Sequence, residues 1–289
     1  MGNYYCLMAG LPDISLSDSK KAPTVAELKE ECENVLSDSD KKLMFYFFLK
    51  YDCQNIVRLL KNPDASLLPN GNFSPEQYQD LITSAREMNF NVHRYPTFMS
   101  IYAREYAYNK DTAGFFAEDG MMLEYYKYAM GCSNKMIADW YEFNFNVTNI
   151  LTAMIARKNG WNVGDYIQGD NEVTEIIRTN NSKDFSLSTE YDYVVDLMKV
   201  VDETDPVQKE KKIDAFKWSW LDERTFFDIF SIDAVFAYFC KLEMLERWVK
   251  LDVEQGKETF QKIIDDLRSE AKVPDEFVAP NMAQKGMTK

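Results

Sequence analysis

The feature that most restricts this chain is a period. From Thr24 onward, apolar residues recur three and four positions apart, between residues that start and stop helices. A stripe with that spacing must be covered by another packed element. No alternation of strand and helix patterns supplies a parallel sheet for it to cover, so the chain reads as all-α. Thr24-x-x-Glu27 is a capping box opening TVAELKEECENVL, where Val25, Leu28, Cys32, Val35 and Leu36 fall at helical spacing. Residues from Ser37 to Asp40 cap a second helix, which runs to Lys61 and stops at Asn62-Pro63. Ser74-Pro75-x-Gln77 opens a third, with proline at the first helical position. The spacing predicts a helix over about 97–108 and a proline-free segment over 120–158, kinked or split at Gly131 and ended by Asn159-Gly160. Shorter helices are predicted over 171–179 and 188–203. A charged and aromatic stretch, 207–229, leads to Ser231, which caps the segment containing VFAYFCKLEMLERWVKL (235–251). A last amphipathic helix is predicted over 257–271. The tail from Lys272 has few large apolar residues and is expected to be flexible. Only NYYCLMAGL, near the start, alternates enough to suggest a strand.

Composition excludes several classes. With 289 residues, 46% hydrophobic and 14% aromatic, the chain has ample material for a core and is no disordered polymer. A net charge of −14, with no dense Lys/Arg stretch, repels phosphate backbones and argues against nucleic-acid binding. It also disfavours direct adhesion to anionic lipid, though not docking onto a membrane protein. The longest apolar run, LMFYFFL, falls far short of the roughly 20 residues that span a bilayer, so no membrane insertion is expected. Cys6, Cys32, Cys53, Cys132 and Cys240 are dispersed, without a Cys-x-x-Cys pair, as reduced thiols in a cytosolic protein would be. No secretory signal pattern is evident, and Cys6 stands where a myristoylation motif requires Ser or Thr.

Catalytic patterns are sparse. His93 is the one histidine, set before a proline in NVHRYP and read as a loop residue. Helical metal centres draw on several His or Cys ligands at fixed spacing, and no such set occurs. Neither Gly-x-x-x-x-Gly-Lys-Ser/Thr nor Gly-x-Gly-x-x-Gly is found, so nucleotide binding has no motif behind it. The expectation is no catalytic residue, no cofactor and no metal.

A faint internal repeat carries more information. FFLKYDCQNIVRLLK (47–61) and YEFNFNVTNILTAMI (141–155) each place an aromatic before a polar pair and an aliphatic run. The pairs are Asp52-x-x-Asn55 and Asn146-x-x-Asn149. Glu243-x-x-Glu246, followed by Arg247, stands at a comparable spacing further on. Residues i and i+3 share a helix face, so each unit sets a polar spot beside an apolar stripe. For the third, a metal site, a buried ion pair and a repeated packing unit are all open, and an ordinary solvated face is the bland alternative. The spacing divides the chain into 1–95, 96–190 and 191–271 as three helical repeats, with 272–289 as the tail. Polar pairs of this kind are expected to bond to a neighbouring repeat and fix register.

Two of these segments carry a family resemblance. WYEFNFNVTNILTAMIARKNG (140–160) resembles a motif of the C-type (eukaryotic d-type) central-stalk component of V/A-type rotary ATPases, where Asp-x-x-Asn-Ile/Leu precedes aliphatic and then basic residues. Asn146, Asn149, Ile150, Arg157 and Lys158 stand at those places. SIDAVFAYFCKLEMLERWVKL (231–251) is similar to the C-terminal motif of that family, through Ala237, Tyr238, Glu243, Glu246 and Arg247. The start, NYYCLMAGLPDI, resembles that of an uncharacterised bacterial family associated with V-type ATPase gene clusters. Asn146 departs from the usual acid, Arg157 comes late, and the chain is shorter than most members. The resemblance implies a non-catalytic, funnel-like body of three pseudo-symmetric repeats at the cytoplasmic face of the membrane. It would seat the central shaft on the proteolipid ring, one copy per complex, and Glu243-x-x-Glu246 would be the third copy of the repeat-packing unit, not a metal site. The alternatives are a stand-alone helical enzyme using clustered carboxylates, or an unrelated helical scaffold.

Overall fold

The structure is a computed structural model that describes residues 3–16, 22–88, 94–109 and 117–250. His93, the helix expected over 257–271 and the tail 272–289 lie outside the described residues. The chain divides into two units, Met1–Glu243 and Met244–Lys289. Of the second, only 244–250 are described, as the end of a helix.

The described residues fold as eleven α-helices, with no strand among them. Local capping sets most boundaries. Thr24 and Ser74 each form a complete capping box, opening α2 (Val25–Val35) and α4 (Pro75–Arg86). Ser37 and Asn134 cap α3 (Asp38–Lys61) and α7 (Lys135–Lys158), both 24 residues long. The segment expected over 120–158 is split, as α6 (Ala117–Met130) and α7, by a turn at Gly131. Asn171 caps α8 (Glu172–Thr179), and α5 covers Thr97–Asn109.

Two expectations are corrected, and a stretch to which the sequence assigned no element gains one. The possible strand near the start is helical, as α1 (Tyr5–Gly10). Its buried residues, Tyr4 and Leu7, are three apart, so helical rather than alternating spacing puts both against the core. The helix expected over 188–203 begins only at α9 (Val194–Val201), after a 3₁₀ turn at Leu187–Thr189. The stretch over 207–229 is mostly a helix, α10 (Pro206–Thr225), started by Asp205 and by proline in its first turn.

Helix α3 packs against α4, α5 and α6, while α7 packs against α6, α8 and α9. The final helix, α11 (Ile232–Lys250), buries every residue from Ala234 to Cys240, as a helix apolar all round must. Its Phe236 and Phe239 meet Phe47 at 6.1 and 5.4 Å between ring centres, and Phe236 meets Tyr141 of α7 at 6.2 Å. Each buried phenylalanine contributes roughly 1.5–3 kcal/mol. This aromatic seam joins α3, α7 and α11.

Candidate functional site

The polar pairs of the two 24-residue helices face inward, and all four side chains are buried. On α3, Asp52 Oδ1 accepts from the backbone N–H groups of Asn72 (2.7 Å) and Phe73 (3.2 Å) and from the Tyr78 hydroxyl (2.6 Å). Its Oδ2 accepts from Asn72 Nδ2 at 2.6 Å. Asn55, one turn on, exchanges two bonds with the Leu68 backbone: Oδ1 accepts at 2.7 Å and Nδ2 donates at 3.1 Å. The pair thus holds the loop that returns from α3 to the cap of α4. Gly71 sits in that loop, where a β-carbon would lie 2.3 Å from Tyr78 Oη and 2.7 Å from Asp52 Oδ1. Lys29 of α2 reaches the same loop, donating to the Gly71 carbonyl at 2.8 Å while its ammonium lies 4.3 Å from the centre of the Phe48 ring.

The α7 pair is used in the same way. Asn149 Oδ1 accepts from the Gln168 backbone N–H at 2.8 Å, and Asn146 Oδ1 accepts from Asn171, the cap of α8, at 2.7 Å. Gly169 lies between them at φ +82°, where a β-carbon would meet Phe145 Cζ at 2.5 Å. Its carbonyl accepts from Arg178 at 2.7 Å. In both places a long helix pins a returning loop through an i, i+3 polar pair, a glycine too close for any side chain, and a cation on the glycine carbonyl. These hydrogen bonds run to each helix's own following loop, where the sequence had suggested a neighbouring repeat.

The third pair is wired differently. Glu243 forms an ion pair with Lys50 and accepts from the Tyr51 hydroxyl at 3.0 Å, the two residues just before Asp52. Glu246 lies 4.0 Å from Lys250, and the Arg247 guanidinium lies 5.8 Å from the centre of the Trp248 ring. The Glu243 carboxylate therefore meets side chains of α3, whereas Asp52 and Asn149 meet backbone groups of a loop. In place of the expected third copy of the packing unit, Glu243 forms an ion pair, partly buried between α11 and α3.

The electrostatics suit a framework. Burial pushes the Asp52 carboxyl up to about 6, against the bonds from Tyr78, Asn72 and Phe73 that pull it down. Burial lowers the Lys29 ammonium, an effect opposed by Asp52. The Cys32 and Cys240 thiols are pushed up to about 12 by burial, so they stay protonated and poor nucleophiles near neutral pH. No three His, Cys, Asp or Glu side chains converge in a metal-holding arrangement among the described residues. None of these helices is long and apolar enough to cross a membrane.

The reading from sequence missed Asn72, Tyr78, Gly71, Gly169 and Asn171. A signal existed: Asn70-Gly71 and Gly169-Asp170-Asn171 are turn sequences just ahead of helix starts. No curated protein and no solved structure matches the chain. One family model, described as protein of unknown function (DUF2764), matches residues 1–271, and the chain belongs to that family.

Proposed function

We propose that this chain is a non-catalytic central-stalk connector of a V/A-type rotary ATPase, coupling the rotating shaft to the membrane proteolipid ring during ATP-linked ion transport. The observation that carries the reading is the likeness of 140–160 and 231–251 to the motifs of the C-type connector family. The two loop-pinning helices, α3 and α7, support it, because the same device twice is what a body of related repeats would contain. A torque-bearing part has to be stiff, and buried polar pairs with satisfied partners stiffen the loops between helices. The acidic surface is compatible with docking on protein at the cytoplasmic face of a membrane. Residues 1–95, 96–190 and 191–271 would form the three repeats of the funnel.

The test is reconstitution. The full chain is co-expressed with the shaft and proteolipid-ring proteins of the same genome, and the detergent-solubilised assembly is sized by chromatography. Co-elution with shaft and ring at one copy per complex is expected. An assembly that forms and turns over ATP without this chain, with the chain eluting alone, would refute the assignment.

A further inference from the structure

A groove of about 660 Å³ lies where α1 and the segment after it approach the end of α10 and the start of α11. Met8, Leu11, Trp218, Phe226, Ile229 and Phe230 line it, and Ala234 and Ala237 of α11 lie at its base. The turn beside it is unusually apolar for a surface. Phe227 is 96% exposed, Phe226 70% and Ile229 52%, and the two phenylalanine rings meet edge to face at 5.0 Å. Tyr5, also exposed, contacts Phe230 with ring centres 4.6 Å apart. Single exposed apolar residues are ordinary, but a contiguous set beside a groove marks a contact surface. A small molecule in the groove would leave Phe227, which does not line it, uncovered. An extended apolar segment covers both.

The charges select among larger occupants. Asp13 and Asp222 line the groove, and Asp228 stands in the turn between the exposed apolar residues. Lys241, the cation of the groove, is paired with Asp222 and lies 5.3 Å from the centre of the Trp218 ring, its side chain only 14% exposed. The exposed charge at the mouth is therefore acidic. An anionic bilayer is repelled by it, and a second copy in a two-fold contact would set these carboxylates against themselves. We propose that this groove and its phenylalanine turn dock an amphipathic helix of another protein, with an apolar face flanked by Lys or Arg. The apolar face fills the groove and covers Phe226 and Phe227, while the basic flanks reach Asp13 and Asp228, as in helix-in-groove recognition. The inference does not rest on the rotary-ATPase reading.

The probe is a fluorescein-labelled Leu/Lys amphipathic peptide of about 18 residues, roughly five helical turns, titrated with the full chain and followed by anisotropy. A Leu/Glu peptide of the same pattern is the counterpart. Saturable binding of the Leu/Lys peptide alone is expected. Phe226→Ser with Phe227→Ser should weaken it at least about tenfold, and so should Asp13→Lys with Asp228→Lys. Glu30→Lys with Glu31→Lys makes the same charge change on α2, which contributes nothing to the groove, and should stay within about threefold of the parent. Equal losses from both charge variants, with the phenylalanine variant unchanged, would reduce the binding to general attraction and overturn the proposal. Absence of saturable binding overturns it too. So would a dimer, seen by light scattering, that the phenylalanine variant dissolves, or phenylalanine-dependent sedimentation with phosphatidylcholine/phosphatidylserine vesicles.

Discussion

Replacing Asp52 by alanine should destabilise the fold more than the matching change at Asn149, and the hydrogen bonds give the sizes. Asp52→Ala removes the acceptor of four donors: the Asn72 and Phe73 backbone N–H groups, Asn72 Nδ2 and the Tyr78 hydroxyl. An orphaned buried donor costs about 1–3 kcal/mol. Asn72 Nδ2 keeps the Phe45 carbonyl as an acceptor, and part of the loop can turn to water, so fewer than four donors bear the full penalty. Loss of a carboxylate whose ionisation burial opposes offsets some of the rest. The expected loss is about 3–4 kcal/mol at neutral pH. Asn149→Ala orphans only the Gln168 N–H, because the Phe145 carbonyl it also touches lies within the helical ladder, and should cost about 1–2 kcal/mol. Urea unfolding of the full chain, followed by far-UV circular dichroism, measures both. In thermal melts the Asp52 variant should fall about 6–16 °C, at the roughly 2–4 °C per kcal/mol usual for larger domains. If Asp52→Ala cost no more than Asn149→Ala, the claim that this carboxylate pins the loop would be wrong.

Two further outcomes follow from the same loops. Gly71→Ala and Gly169→Ala should each cost about 2–3 kcal/mol, since the new methyl meets Tyr78 and Asp52 in one case and Phe145 in the other. Gly10→Ala, with nothing within 4 Å, is the control and should change stability by less than about 0.5 kcal/mol; equal effects at all three would dispose of the close-approach argument. Between about pH 4 and 6 the folded chain retains a proton on Asp52 that the unfolded chain has lost, so this group's contribution to stability falls as pH rises through that window. Asp52→Asn lacks that titration, and its deficit relative to the parent should shrink by on the order of 3 kcal/mol between pH 4 and 7. Urea titrations at the two pH values check this, and a deficit that holds steady or grows would contradict it.

The sequence by itself determined where most helices begin and end. Caps such as Thr24, Ser37 and Ser74 act within one helical turn, on donors whose positions the local chain already sets, so their effect is legible without a fold. It also showed the i, i+3 polar pairs of α3 and α7, because helical geometry alone puts such residues on one face. What those pairs do was decided by tertiary structure. Asp52 finds Asn72 and Phe73, and Asn149 finds Gln168, only because each loop folds back along its own helix, a path no periodicity encodes. Glu243 looked like a third copy of the unit, yet its partners are Lys50 and Tyr51, the latter 192 residues away in the chain. The same holds for NYYCLMAGL, whose weak alternation suggested a strand. A strand needs a paired neighbour, whereas Tyr4 and Leu7 could be buried on one helical face without any. Local hydrogen bonding fixes the elements, and long-range packing chooses the partners of their buried polar side chains.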